Sequence, residues 1–114
     1  MGVYEIYVWD EKGGINQTII ASKKSPLEIL EEKVKEREGG VFKAQIYKVI
    51  TPMISVPICR YISPIAAELE KRFGEEFWKP FSEIENMILT YKYNLEKGKV
   101  PMKERERFYE VQVI

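Results

Sequence analysis

Two Ser-Pro pairs set the plan of this chain. Ser25-Pro26 and Ser63-Pro64 each head a run of helical periodicity, and each run closes on glycine. A serine at the N-cap accepts a hydrogen bond from an orphan amide of the first turn. Proline just after it loses no donor that the helix needs. Glu28, three residues past Ser25, is placed to reach back to the cap amide. In the first run Leu27, Leu30 and Val34 share one face. Glu31, Glu32, Lys33, Lys35, Glu36, Arg37 and Glu38 cover the rest, and Gly39-Gly40 ends it. Such a charged run is a solvated face with Glu–Lys pairs. In the second run Ile65, Leu69 and Phe73 share a face, with Gly74 just past the end.

The remaining segments read as strands. Val3–Trp9 and Ile15–Ala21 are rich in β-branched and aromatic residues and make a hairpin through Asp10-Glu11-Lys12-Gly13-Gly14. Val41–Ile50 is a third strand, with Phe42, Ala44 and Ile46 on one face and Tyr47 and Val49 on the other. Met53–Tyr61 is a fourth, and Pro57 makes it an edge, a bulged strand or a short one. Glu85–Tyr93 reads as a fifth on the strength of Ile88, Leu89, Thr90, Tyr91 and Tyr93. It breaks at Glu96-Lys97-Gly98, where Gly98 permits a turn with positive φ, and Pro101 follows. Phe108–Ile114 is the last strand. Between the second helix and Glu85, the aromatic cluster Phe77, Trp78 and Phe81 surrounds Pro80, as a short strand or a loop that packs on the sheet. The expectation is one α+β domain over residues 1–114, with a single mixed sheet of five or six strands and two main helices.

Composition excludes several chemistries. The chain has no histidine, so it has no Ser-His-Asp or Cys-His pair and no histidine metal ligand. Cys59 is the only cysteine and Asp10 the only aspartate. Cys59 reads as a buried small residue rather than a nucleophile. We expect no catalytic residue, no metal and no cofactor. The formal net charge is zero, which gives no global electrostatic case for nucleic acid. No stretch approaches the ~20 apolar residues of a membrane span, so no membrane partner is expected and a cytoplasmic protein is. Glu and Lys enrichment with few Asn and Gln leans towards a hyperthermophile source.

One polar constellation stands out. Arg60-Tyr61 ends a strand and Ser63-Pro64 opens a helix, so free amides and a positive dipole end meet a guanidinium and two hydroxyls. That suits an anion such as a phosphate. The ordinary reading is that Ser63 caps, Tyr61 packs and Arg60 pairs with a surface Glu. A second candidate is the basic connector of Lys97, Lys99, Lys103, Arg105 and Arg107, as a nucleic-acid patch. Glu96, Glu104 and Glu106 are interleaved with it, which favours a solvated loop.

Arg60-Tyr61-Ile62-Ser63-Pro64-Ile65, the helix to Gly74, Asn94-Leu95-Glu96-Lys97-Gly98-Lys99-Val100 and Phe108-Tyr109-Glu110-Val111 together resemble a family of small archaeal-virus proteins. That family includes the type III anti-CRISPR ring nucleases. The likeness covers roughly Arg60 to Ile114. It implies an α+β homodimer that binds cyclic tetra-adenylate across the dimer, in the host cytoplasm. Two departures bear on activity. Where the family has Gly-His, this chain has Arg60-Tyr61. Where it has Arg before its Leu-x-x-Gly turn, this chain has Asn94. The resemblance therefore implies fold and dimerisation rather than hydrolysis, and adds Asn94 to the candidate ligand-binding residues Arg60, Tyr61 and Ser63. The expectation is a non-enzymatic homodimeric binding protein of an archaeal virus, with a cyclic oligoadenylate or another phosphate-rich ligand. The alternatives are a ring nuclease-like enzyme using Tyr61 or Arg60 with a Glu, and a DNA- or RNA-binding protein using the basic connector.

Overall fold

The computed structural model describes residues 1–111. Strands β1 (Gly2–Asp10) and β2 (Ile15–Ser22) lead to helix α1 (Pro26–Lys35). Strands β3 (Val41–Thr51) and β4 (Ile54–Ile62) lead to helix α2 (Pro64–Phe73) and a 3₁₀ segment, Gly74–Trp78. Helix α3 (Glu85–Lys97) and strand β5 (Arg107–Glu110) follow. The strands form one five-stranded sheet in the order β2-β1-β3-β4-β5. The class is α+β, as expected, and the sheet is antiparallel at every pairing rather than mixed. The connection through β2 and α1 returns β3 to the far side of β1, antiparallel to it.

Both faces of the sheet are covered. On one, α1 lays Ile29, Leu30 and Val34 over Tyr4, Ile6, Val8, Ala44, Ile46, Cys59 and Tyr61. On the other, Ala66, Ala67 and Leu69 of α2, Phe77 and Trp78 of the 3₁₀ segment and Ile88 of α3 cover Tyr7, Trp9, Phe42 and Ile62. Phe42 therefore does not share a face with Ala44 and Ile46. The ladder shifts between Trp9 and Asp10, which pair with Lys43 and Val41, and the skipped Phe42 turns to the second face. Pro57 sits where expected, beside a bulge: Ile46 pairs with Cys59 and Tyr47 with Pro57, leaving Ile58 unopposed.

The segment Glu85–Tyr93 is helix, not strand. Ile84, Ile88, Tyr91 and Leu95 recur at helical spacing and all join the second core, while Met87 and Tyr93 stay exposed. Packing of that stripe outweighs the strand preference of Thr90, Tyr91 and Tyr93. The hydroxyl of Thr90 donates to the carbonyl of Asn86, 2.9 Å away, one turn back. Gly98 ends the helix with φ −74°, and the left-handed residue is Lys99 with φ +52°, not Gly98. The aromatic cluster resolves as core: Phe77 and Trp78 are buried in the 3₁₀ segment, whereas Phe81 is exposed. Of the last strand, Arg107–Glu110 pairs with β4; Gln112, Val113 and Ile114 lie outside the described residues.

Candidate functional site

The alternation of β4 separates the residues that the sequence groups together. Arg60 points to the face covered by Trp78, and Tyr61 to the face covered by α1. Arg60 is buried. Its Nε donates to Gln45 Oε1 at 2.7 Å, its Nη atoms clasp Glu75 at 3.2 and 3.0 Å, and its guanidinium stacks 4.6 Å from the Trp78 ring centroid. The guanidinium holds the Glu75 carboxyl below the usual carboxylate range. Nε and one N–H of each Nη are thus engaged by protein acceptors, on the face of β4 away from Tyr61. Arg60 ties the 3₁₀ segment to the sheet, and the expected pairing with a surface Glu is met by Glu75.

Tyr61 and Ser63 stay together. They line a groove of about 330 Å³ where β4 ends and α2 begins, closed by Phe42, Lys92, Glu96, Met102 and Glu106. Ser63 accepts from the amide of Ala66 at 3.4 Å, as an N-cap, and donates to the carbonyl of Phe42 at 2.6 Å. Both bonds are structural. Tyr61 packs on Phe108 with the rings tilted 49° and their centroids 4.8 Å apart, and donates its phenol proton to Glu106 at 2.8 Å. Burial, the Glu106 hydrogen bond and the charges of Glu106 and Glu11 all push its pKa up. At neutral pH Tyr61 is a neutral donor.

Lys92 was not singled out by the sequence. It is buried, and its Nζ donates to Glu11 O and Glu96 Oε1, each at 2.8 Å. The groove therefore carries three carboxylates, Glu11, Glu96 and Glu106, against one already paired ammonium. An anion at the α2 N-terminus would meet that negative wall.

Asn94 is exposed on α3 and does not line the groove. Lys97, Lys99, Lys103, Arg105 and Arg107 are all exposed, at the end of α3, on the connector and at the first residue of β5. Glu104 among them is drawn to Lys71 at 3.0 Å, and Glu106 to Tyr61. That matches the solvated-loop reading better than a continuous basic patch.

A second polar cluster escaped sequence reading. Lys43, 1 % exposed, donates from Nζ to the carbonyl of Phe77 and lies 3.8 and 4.5 Å from the ring centroids of Phe77 and Trp9. Burial pulls its pKa down to about 7. Gln45 beside it donates to Trp78 O at 3.1 Å and Tyr47 Oη at 2.8 Å. A gap next to Lys43 is about 20 Å³, room for roughly one water. The signal was the alternation Lys43, Gln45 within Val41–Ile46, otherwise apolar on both faces. Cys59 is buried, as expected, and burial pushes its thiol up. No helix among the described residues is long and apolar enough to cross a membrane. No family model, curated protein or solved structure significantly matches the chain.

Proposed function

We propose that the protein is a non-catalytic binding protein, working as a homodimer, whose ligand site is the groove at the β4–α2 junction. The observation that carries this is the groove itself: about 330 Å³, with Glu11, Glu96 and Glu106 on its wall and the Tyr61 phenol, its one proton given to Glu106, offering an acceptor oxygen. What supports binding without catalysis is the residue set. The chain has no histidine, and the Tyr61 phenol and the Cys59 thiol both keep their protons at neutral pH. The ligand class follows from the charge. Three carboxylates against one ammonium favour a cationic amine over a phosphate. The archaeal-virus resemblance implies cyclic tetra-adenylate instead, for which the start of α2 supplies the favourable end of a helix dipole.

Calorimetry with spermidine and with cyclic tetra-adenylate separates the two. The expected result is heat with spermidine, weakened about tenfold in Glu106→Gln, a loss of about 1.4 kcal/mol. Heat from neither ligand ends the groove reading. Binding of cyclic tetra-adenylate that Glu106→Gln strengthens moves the assignment to a phosphate ligand.

A further inference from the structure

We propose that β2 is a self-pairing edge. Two copies of the chain join antiparallel through Ile15–Ser22, in the register that sets Ile19 opposite the partner's Ile19, and so continue the sheet across a twofold axis. This deepens the dimer in the reading above and is independent of what the groove binds.

The first ground is an edge left open. β2 is the outer strand, beyond β1. Natural sheets blunt such edges with charge, proline or a bulge. Ile15–Ser22 has no charged residue, no proline and an unbroken register with β1 over its full length. By contrast β4, whose first half has no strand beyond it among the described residues, carries both devices, Pro57 and a bulge.

The second ground is the direction of the backbone groups. The β1–β2 turn is closed by Asp10 N–H on Gly14 C=O at 2.9 Å, with Gly13 left-handed at φ +91°. In an antiparallel ladder bonded and non-bonded pairs alternate from that point. Val8–Asn16, Ile6–Thr18 and Tyr4–Ile20 are then the bonded pairs. The amides and carbonyls of Gln17, Ile19 and Ala21 face outwards. In the proposed register Ile19 bonds the partner's Ile19, and Gln17 bonds the partner's Ala21, for about six inter-chain hydrogen bonds.

The third ground is self-complementarity. Ile19 is 62 % exposed at the middle of the edge, and pairing covers it with itself. The same register sets Gly14 opposite the partner's Lys24. Asp10 stands at that point, its Oδ1 holding the amides of Lys12 and Gly14 at 2.8 Å, with Glu11 next to it. Each end of the junction thus brings Asp10 towards the partner's Lys24, a residue whose ammonium also reaches Glu32 of its own chain at 2.7 Å. A parallel pairing would set lysines against lysines. The zero net charge removes long-range repulsion between copies.

The test is sedimentation equilibrium on the full chain and on Ile19→Lys, with circular dichroism to check the fold. It is joined by oxidation of Ile19→Cys and Gln17→Cys. The wild type is expected to be a dimer and Ile19→Lys a folded monomer. Cysteines at position 19 meet directly across the axis, while those at position 17 are about 14 Å apart. Ile19→Cys should therefore cross-link about tenfold faster. A monomeric wild type overturns the proposal. So does a dimer that Ile19→Lys leaves intact, or equal cross-linking at the two positions. None of these results depends on spermidine or cyclic tetra-adenylate, so the dimer and the groove fail separately.

Discussion

The ammonium of Lys43 donates to the backbone carbonyl of Phe77 from between the rings of Phe77 and Trp9. One strand residue thereby holds the 3₁₀ segment, and with it the start of the path to α3, against the sheet. The bond satisfies the carbonyl, and the rings offer the charge some attraction. Desolvation still wins, since the pKa falls to about 7. An unfolded chain keeps this proton up to the ordinary lysine range. Between those two values the unfolded state binds more protons than the folded one, so stability rises with pH. The slope attributable to Lys43 is at most about 1.4 kcal/mol per pH unit. Urea midpoints should increase from about pH 7 to about pH 9 in the wild type and stay level in Lys43→Met. A wild-type midpoint that falls over this window, or an unchanged slope in Lys43→Met, would show that Lys43 is not buried as described.

Arg60 and Glu75 differ in burial, and so in worth. The Arg60 side chain is 6 % exposed and that of Glu75 is 82 %. Arg60→Ala removes the stacking on Trp78 and strands the buried Oε1 of Gln45, at a cost of about 3 kcal/mol. Glu75→Gln loses a solvent-screened ion pair but leaves the guanidinium its other contacts, and should cost less than about 1 kcal/mol. Chemical denaturation of both variants checks the ratio. Equal losses would mean that the ion pair, not the buried network, holds the segment.

The elements with local punctuation were legible in the sequence. Ser25-Pro26 and Ser63-Pro64 begin helices where expected because cap chemistry acts within a few residues. The hairpin about Gly13 was legible for the same reason. What could not be read was decided by partners distant in sequence. Glu85–Lys97 is helical because its apolar stripe meets α2 and the sheet, against its own strand preference. Its N-cap is Ile84, with no side-chain hydrogen bond to mark the start. Arg60 and Tyr61 looked like one site because they are adjacent, and a strand sends adjacent side chains to opposite faces. Lys92 reached the groove only through the position of α3.

Thr90 distinguishes helix from strand in that segment by the sign of one substitution. It is an exposed position in the middle of α3. Thr90→Ala there replaces a β-branched residue by the best helix former and should stabilise by up to about 0.7 kcal/mol. In a strand the same change would destabilise, since alanine is depleted there and threonine favoured. Thermal melts decide it: a higher melting temperature for Thr90→Ala fits the helix, and a lower one fits the strand.

The two N-cap serines should differ in the same experiment. Ser25 is exposed, and among the described residues its hydroxyl accepts only from Glu28 N–H, at 3.3 Å. Ser63 is buried and does two things at once: it accepts from Ala66 N–H and donates to Phe42 C=O. Ser25→Ala should cost about 0.5–1 kcal/mol, the usual loss of an N-cap. Ser63→Ala loses a cap and also removes the hydroxyl donor from a buried carbonyl, which brings the cost to about 2–3 kcal/mol. That carbonyl also accepts from Ser63 N–H at 3.2 Å, which keeps the penalty from rising further. Ser63→Thr keeps the hydroxyl and should recover most of the loss. A Ser63→Ala variant no weaker than Ser25→Ala would mean that the hydroxyl bond to Phe42 contributes nothing to joining α2 to the start of β3.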